Sequence, residues 1–326
     1  MIDALRQSGR LRNMRAVAPG VSWVTTVAPL LQLGFEVSLC DCDRENLGLD
    51  LEHLEQLIVE KKPSLVILVH VLGHANHMQK ILELCEAHRV ILLEDACEAI
   101  GSSSRGVKLG SFGTAGTFSF YYGHQMSTIE GGMVVTDDDE LHQTMLSLRS
   151  HGWSRDLSPE RRSALMTQHG IDESRDLYTF YHAGYNLRST DLQAHLGRLQ
   201  LRRIGDVVDA REVNFHRYRE SLSGFYCQQS DTEKLSSLAY GTLVSNRLEV
   251  FQTLRDQQIE TRPLICGNIG LHPFWIDLFG PCSLPNADVI HGHGLYLPNF
   301  PGLSPGDLNR VSSAFLDVAK PFEFPS

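Results

Sequence analysis

Residues 116–133 read GTFSFYYGHQMSTIEGGM, and the reading of this stretch decides the fold. From Gly116 to Tyr121, small or hydroxyl side chains alternate with aromatic ones, as in a buried strand, and Gly123 breaks the pattern. His124 follows the break, then the hydroxyl pair Ser127 and Thr128, then Glu130 and two glycines. Residues 132–136 read as the next strand. A polar turn after a strand, with glycines giving a ligand close access to the backbone, is where an α/β fold builds a site.

Working toward the N-terminus, Glu94-Asp95-Ala96-Cys97-Glu98-Ala99 ends a strand begun at Val90. Before it, strands over 35–41 and 64–69 alternate with helices over 27–33, 51–60 and 79–88, which implies parallel βαβ units. Toward the C-terminus come an acidic-capped helix over 137–150 and a polar, irregular stretch over 153–180. Gly184-Tyr-Asn-Leu-Arg-Ser-Thr190 then leads into a helix over 191–201. Residues 202–326 read as a smaller α/β domain, with helices over 207–221, 247–258 and 304–319 and strands over 238–244, 259–265 and 294–298. The expected organisation is a large, mostly parallel-sheet domain over 1–201 and a small domain over 202–326.

At 326 residues the chain can bury an ample core. Its net charge of −10 argues against a nucleic-acid binder, whose footprint would be basic. A phosphorylated ligand stays possible, because single arginines and local dipoles hold phosphate. Seven cysteines without a dense framework suit a reducing cytosol, so a cytoplasmic location is expected. No apolar run has the length of a membrane span. Cys40 and Cys42 read as strand positions; the spacing of His70, His74 and His77 would suit one helix face, but Gly73 and the preceding strand argue against a helix there; and His291 and His293 have no acidic or cysteine partner nearby, so no metal is expected.

The segments 94–98, 117–132 and 184–190 together resemble the DegT/DnrJ/EryC1/StrS family of sugar aminotransferases. Its cofactor segment runs roughly S-F-x-x-x-K and then G-E-G-G; Ser119-Phe120 and Glu130-Gly131-Gly132 match, with Ile129 where the family usually has glycine. The resemblance implies the fold-type-I architecture of enzymes dependent on pyridoxal phosphate (PLP). It places Asp95 against the pyridine nitrogen, Glu98 near the ring oxygen, Trp23 against the ring face and Ser119 at the cofactor. Asn186 is implied to reach the partner's cofactor phosphate in a homodimer with shared sites, and Arg188 and Arg262 are implied substrate contacts. Taken by themselves, the E-D-A sequence is equally a strand-end cap, Ser189 or Thr190 a helix cap, and Arg262 half of an exposed ion pair. The likeness is expected to begin near residue 18. No counterpart of the family's phosphate-binding turn is found, so its first strand–helix unit is expected to be missing.

The cofactor lysine is replaced by His124, an exchange that resembles the branch of sugar 3-dehydratases. Histidine cannot hold PLP covalently, but it can move a proton near neutrality. The implied activity is removal of the carbon-3 hydroxyl from a nucleotide-linked 4-keto-6-deoxy sugar. The cofactor would be PLP or pyridoxamine phosphate, restored by an amino donor such as glutamate. Two other readings stay open: a sugar aminotransferase, or a family member that has lost activity with the phosphate turn.

Overall fold

The computed structural model describes residues 1–325. The first half alternates strand and helix: α1 (Ile2–Gln7), β1 (Arg15–Pro19), α2 (Val24–Gln32), β2 (Glu36–Cys40), α3 (Leu51–Lys61), β3 (Leu65–Val69), α4 (Met78–His88) and β4 (Ile91–Asp95). A short hairpin of β5 (Ser103–Ser104) and β6 (Val107–Lys108) follows, then β7 (Ala115–Ser119), β8 (Gly132–Val135) and α5 (Asp139–Arg149). The main sheet has the order β2-β1-β3-β4-β7-β8, parallel throughout except that β8 runs antiparallel to β7. β3, Leu-Val-Ile-Leu-Val, is buried along its whole length, as a central parallel strand covered on both faces must be. The carboxyl ends of β4 and β7 therefore open side by side at one edge of the sheet, where α/β folds place ligands.

After α5 the chain forms α6 (Pro159–His169), α7 (Glu173–Asp176), α8 (Asp191–Leu201) and the long α9 (Ile204–Ser221). A three-stranded antiparallel sheet, β10-β11-β9, is built from β9 (Ala239–Leu243), β10 (Arg262–Pro263) and β11 (Gly294–Pro298), with α10 (Arg247–Asp256), α11 (Pro273–Phe279), α12 (Pro285–His293) and α13 (Pro305–Leu316) around it. One apolar cluster lies against the main sheet and takes in Ala239, Leu264 and Ile290 from the second half. Another joins Phe215, Tyr218, Tyr240, Leu297 and Phe315.

Four expectations are corrected. Residues 153–180 are not irregular: Ser158 caps α6 and Pro159 stands at its first turn, but the helix buries only Leu165 and so shows little apolar periodicity. The strand expected over 259–265 shrinks to Arg262–Pro263, because only those residues pair with β11. Two proline-initiated helices, α11 and α12, lie where none was expected, and His291 and His293 fall in the last turn of α12. The polar start contains α1 and β1, whose small side chains Ala16 and Ala18 suit a strand wedged between β2 and β3.

Candidate functional site

Asp95 is the last residue of β4, and two donors fix its carboxylate. Thr26 Oγ1 donates to Oδ2 at 2.7 Å and the Cys97 amide donates to Oδ1 at 3.1 Å. Thr26 lies in the first turn of α2, where its amide bonds back to Trp23 O. Trp23, at the cap of that helix, keeps 56% of its surface exposed, which leaves the indole free to cover a flat ligand.

The strand end beneath Asp95 is braced by Glu94, fully buried with no lysine or arginine partner among the described residues. Its carboxylate accepts from the amides of Gly110 (2.9 Å), Phe112 (2.6 Å) and Gly113 (2.6 Å) and meets His70 Nε2 at 3.0 Å. Burial alone would raise its pKa, but the His70 contact and the amides outweigh it and hold it below the ordinary value. Gly116 lets the 110 turn come this close: a Cβ there would lie 2.0 Å from Gly110 O.

His124 lies on the loop after β7 and reaches the turn that follows Asp95. Its Nδ1 lies 2.6 Å from Cys97 O. A carbonyl oxygen only accepts, so Nδ1 carries the hydrogen and Nε2 keeps its lone pair, which makes Nε2 the basic atom. Burial lowers the pKa of His124, assisted by Arg211 and opposed by the Cys97 bond and the charge of Asp95. The ring is thus a free base at neutral pH.

Glu98 accepts from the Leu72 amide at 2.7 Å. Burial pushes its carboxyl up to about 7, opposed by that amide bond and reinforced by Asp95, so it holds a proton near neutrality where a glutamine would hold an amide. Asp95, Glu98 and His124 are thereby brought into one cluster, with Trp23 at the cap of the helix whose Thr26 holds Asp95. Ser119 lies at the end of β7, and its Oγ accepts from Tyr121 N at 3.2 Å.

Asn186 and Arg188 stand apart within one chain, while Arg262 lies near the site, where its charge acts on Tyr121, the ring set edge-on to His124. Asn186 pairs with Ser150, and Arg188 lies over Trp153, 5.8 Å from the ring centroid. Thr190 caps α8 in a reciprocal capping box. Arg262 makes an exposed ion pair with Glu260 at 2.5 Å. The bland readings of those two segments therefore describe the single chain. Sequence reasoning missed Thr26, which orients Asp95, and Gln125, whose amide spans two backbone carbonyls. Neither carries a motif of its own. Among the described residues no cluster of three or more metal-ligating side chains exists.

Ile129 marks the departure from the family pattern. Its φ of +72° is left-handed, a conformation that glycine adopts freely and a β-branched residue adopts under strain. With its side chain 66% exposed, little packing offsets the cost. Ile129→Gly is expected to stabilise the protein by about 1 kcal/mol, seen as a raised denaturant midpoint. An unchanged or lower midpoint would remove the strain argument.

The DegT/DnrJ/EryC1/StrS aminotransferase family matches residues 4–316, so the likeness starts earlier than residue 18. A GDP-4-keto-6-deoxy-D-mannose 3-dehydratase of Yersinia pseudotuberculosis is 32% identical over 298 residues, covering 88% of this chain and 75% of that protein. A GDP-perosamine synthase of Caulobacter vibrioides is 30% identical over 316 residues, 93% of this chain and 78% of the other. Among solved structures, the E. coli GDP-4-keto-6-deoxy-D-mannose-3-dehydratase with bound hydrated PLP superposes with a TM-score of 0.86 at 27% identity, covering 96% of this chain and 83% of that one. The chain belongs to the DegT/DnrJ/EryC1/StrS aminotransferase family, with a histidine in place of the lysine of the family's motif.

Proposed function

We propose that this chain is a PLP- or pyridoxamine-phosphate-dependent 3-dehydratase acting on a nucleotide-linked 4-keto-6-deoxy sugar, with glutamate as amino donor. The observation that carries the reading is His124 itself: a half-buried imidazole with a free Nε2, within reach of the charge of an oriented aspartate, where relatives of the aminotransferase pattern carry lysine. Of the lysines, Lys234 is held by Asp209 and Glu212 and Lys108 donates to Gly101 O. None is a hydrogen-bond partner of Asp95, Glu98 or His124 among the described residues. The similar E. coli dehydratase binds PLP.

The residues present fit the cofactor's ring. When bound, it supplies a protonated pyridine that accepts the electron pair released as a proton leaves the carbon next to the sugar nitrogen. Asp95, fixed by Thr26 and the Cys97 amide, provides the negative charge that keeps a pyridine nitrogen protonated. Trp23 covers one face and excludes water there. His124 Nε2 takes up a proton, and the resulting Nε2–H gives it to the departing carbon-3 hydroxyl, which leaves as water. Incubation of the purified protein with PLP, glutamate and GDP-4-keto-6-deoxymannose is expected to yield the 3-deoxy-4-keto sugar, 2-ketoglutarate and ammonia. Formation of a stable 4-amino sugar instead would make it an aminotransferase.

The same reading includes a homodimer with shared sites. α8 buries none of its residues, and Leu187, Leu192 and Leu201 are exposed by 69, 67 and 59%. Such an apolar face asks for a partner. It is continuous with the site, because Gln193 Nε2 donates to Glu130 O at 2.7 Å on the histidine loop. A second copy laid there brings its own 184–190 segment toward the cofactor, which is the role proposed for Asn186 and Arg188. The small-domain boundary at residue 202 is proposed on the strength of the separate Phe215–Phe315 cluster. A cytoplasmic location is proposed on seven free cysteines; no helix among the described residues is long and apolar enough to cross a membrane.

A further inference from the structure

We infer that Gln125 is a positioning residue for His124: its amide nitrogen ties the histidine loop to the carbonyls of Glu98 and Ser236 and so holds the imidazole against Cys97. The inference rests on the reading of His124 as the proton-transfer base. Gln125 is 4% exposed, and its Nε2 donates to Glu98 O at 2.5 Å and to Ser236 O at 3.0 Å. His124 bonds the carbonyl one residue earlier, Cys97 O. Two consecutive loop residues therefore grip two consecutive carbonyls of the turn after β4. One bond would fix only a distance; two fix the orientation of the loop as well.

The third anchor comes from the far side of the molecule. Ser236 lies in the connection that leads from α9 into β9, and its own amide is held by Ser102 Oγ at 2.9 Å. The junction is tight: a Cβ on Gly73 would lie 2.6 Å from Ser236 O and 3.3 Å from Glu98 O. Backbone carbonyls accept and never donate, so only a side chain with two hydrogens on one atom satisfies both. Glutamine supplies those hydrogens and leaves its Oε1 buried without a partner. That arrangement is unfavourable for the oxygen and persists where the two donations matter. The charged or titratable groups facing His124 are Asp95 from β4, Arg211 from α9 and Tyr121 from its own loop.

The test uses nitrogen-15 histidine spectra of the whole chain, with the His124 signal assigned by its loss in His124→Asn. The parent is expected to show a single Nδ1–H tautomer, and Gln125→Leu a mixture of tautomers. In turnover with PLP, glutamate and GDP-4-keto-6-deoxymannose, Gln125→Leu is expected to lower kcat by about 100-fold with little change in KM. Measured against the parent at the same pH, Gln125→Glu is expected to regain part of that activity as the pH falls and its carboxyl takes up a proton, which supplies one of the two donors. A parent-like tautomer in Gln125→Leu overturns the inference, whether kcat is unchanged or falls together with the melting temperature. If His124→Asn turns over like the parent, the proton-transfer reading fails, while the tautomer spectrum still decides whether Gln125 orients the ring.

Discussion

Replacing His124 with asparagine is expected to lower kcat by roughly a hundred- to ten-thousand-fold, the usual contribution of a positioned acid–base group. Asparagine keeps a donor for Cys97 O and much of the volume, so the fold should survive. It has no basic nitrogen to stand in for Nε2. The parent's pH profile adds a second signature. Because burial lowers the pKa of His124, the neutral, proton-accepting ring persists below its ordinary pKa of about 6.5. The acid limb of kcat should fall in that lower range, and activity should be lost as the pH drops through it and the ring becomes protonated. In His124→Asn that limb should disappear from whatever activity remains. Stopped assays across a pH series, with cofactor binding followed by absorbance, separate the two effects. Retained turnover, or an unmoved limb in the variant, would reassign the base.

Charging the exposed face of α8 carries the second large effect. Leu192→Asp combined with Leu199→Asp places two carboxylates where a second copy is proposed to pack. At about 1 kcal/mol for each of the four positions changed in a two-fold dimer, dimer affinity should fall by about a thousandfold. Sedimentation should then show monomers at concentrations where the parent is dimeric, and turnover should vanish with the dimer. Leu248→Asp on α10, at a side chain 81% exposed and away from this face, is the control expected to change neither. Mixing His124→Asn chains with Asn186→Ala chains should restore part of the activity in hybrid dimers, because one of the two sites then receives both intact side chains. A parent that sediments as a monomer at every concentration, or a hybrid with no gain, would end the shared-site reading.

Much of the fold was legible because its strands and helices announce themselves by period. Leu65–Val69 is unbroken β-branched and leucine sequence, and α3 and α4 show apolar residues at helical spacing. The elements that escaped were those with another organising force. α6 is held by a Ser-Pro cap and buries one leucine, and α11 and α12 are short and begin at proline. The site was legible in part for a similar reason. Asp95, Glu98 and His124 sit in dense local motifs, and the structure gathers them. Thr26 acts through one hydrogen bond and Gln125 through two, all to residues distant in sequence, which no local pattern records. Asn186 and Arg188 stand apart from the cluster in one chain, so their proposed role depends on a neighbour that the chain alone does not supply.

Glu94 has its own bearing on how the coenzyme enters. A carboxylate clasped by three amides and an imidazole welds the 110–113 turn to the strand that ends in Asp95. That wall of the crevice is prebuilt. The loop that bears the imidazole is tied to the turn following the same strand, through Cys97 O and Glu98 O. A guest would then slot between two panels already riveted together, with the uncovered indole of Trp23 left to settle over it.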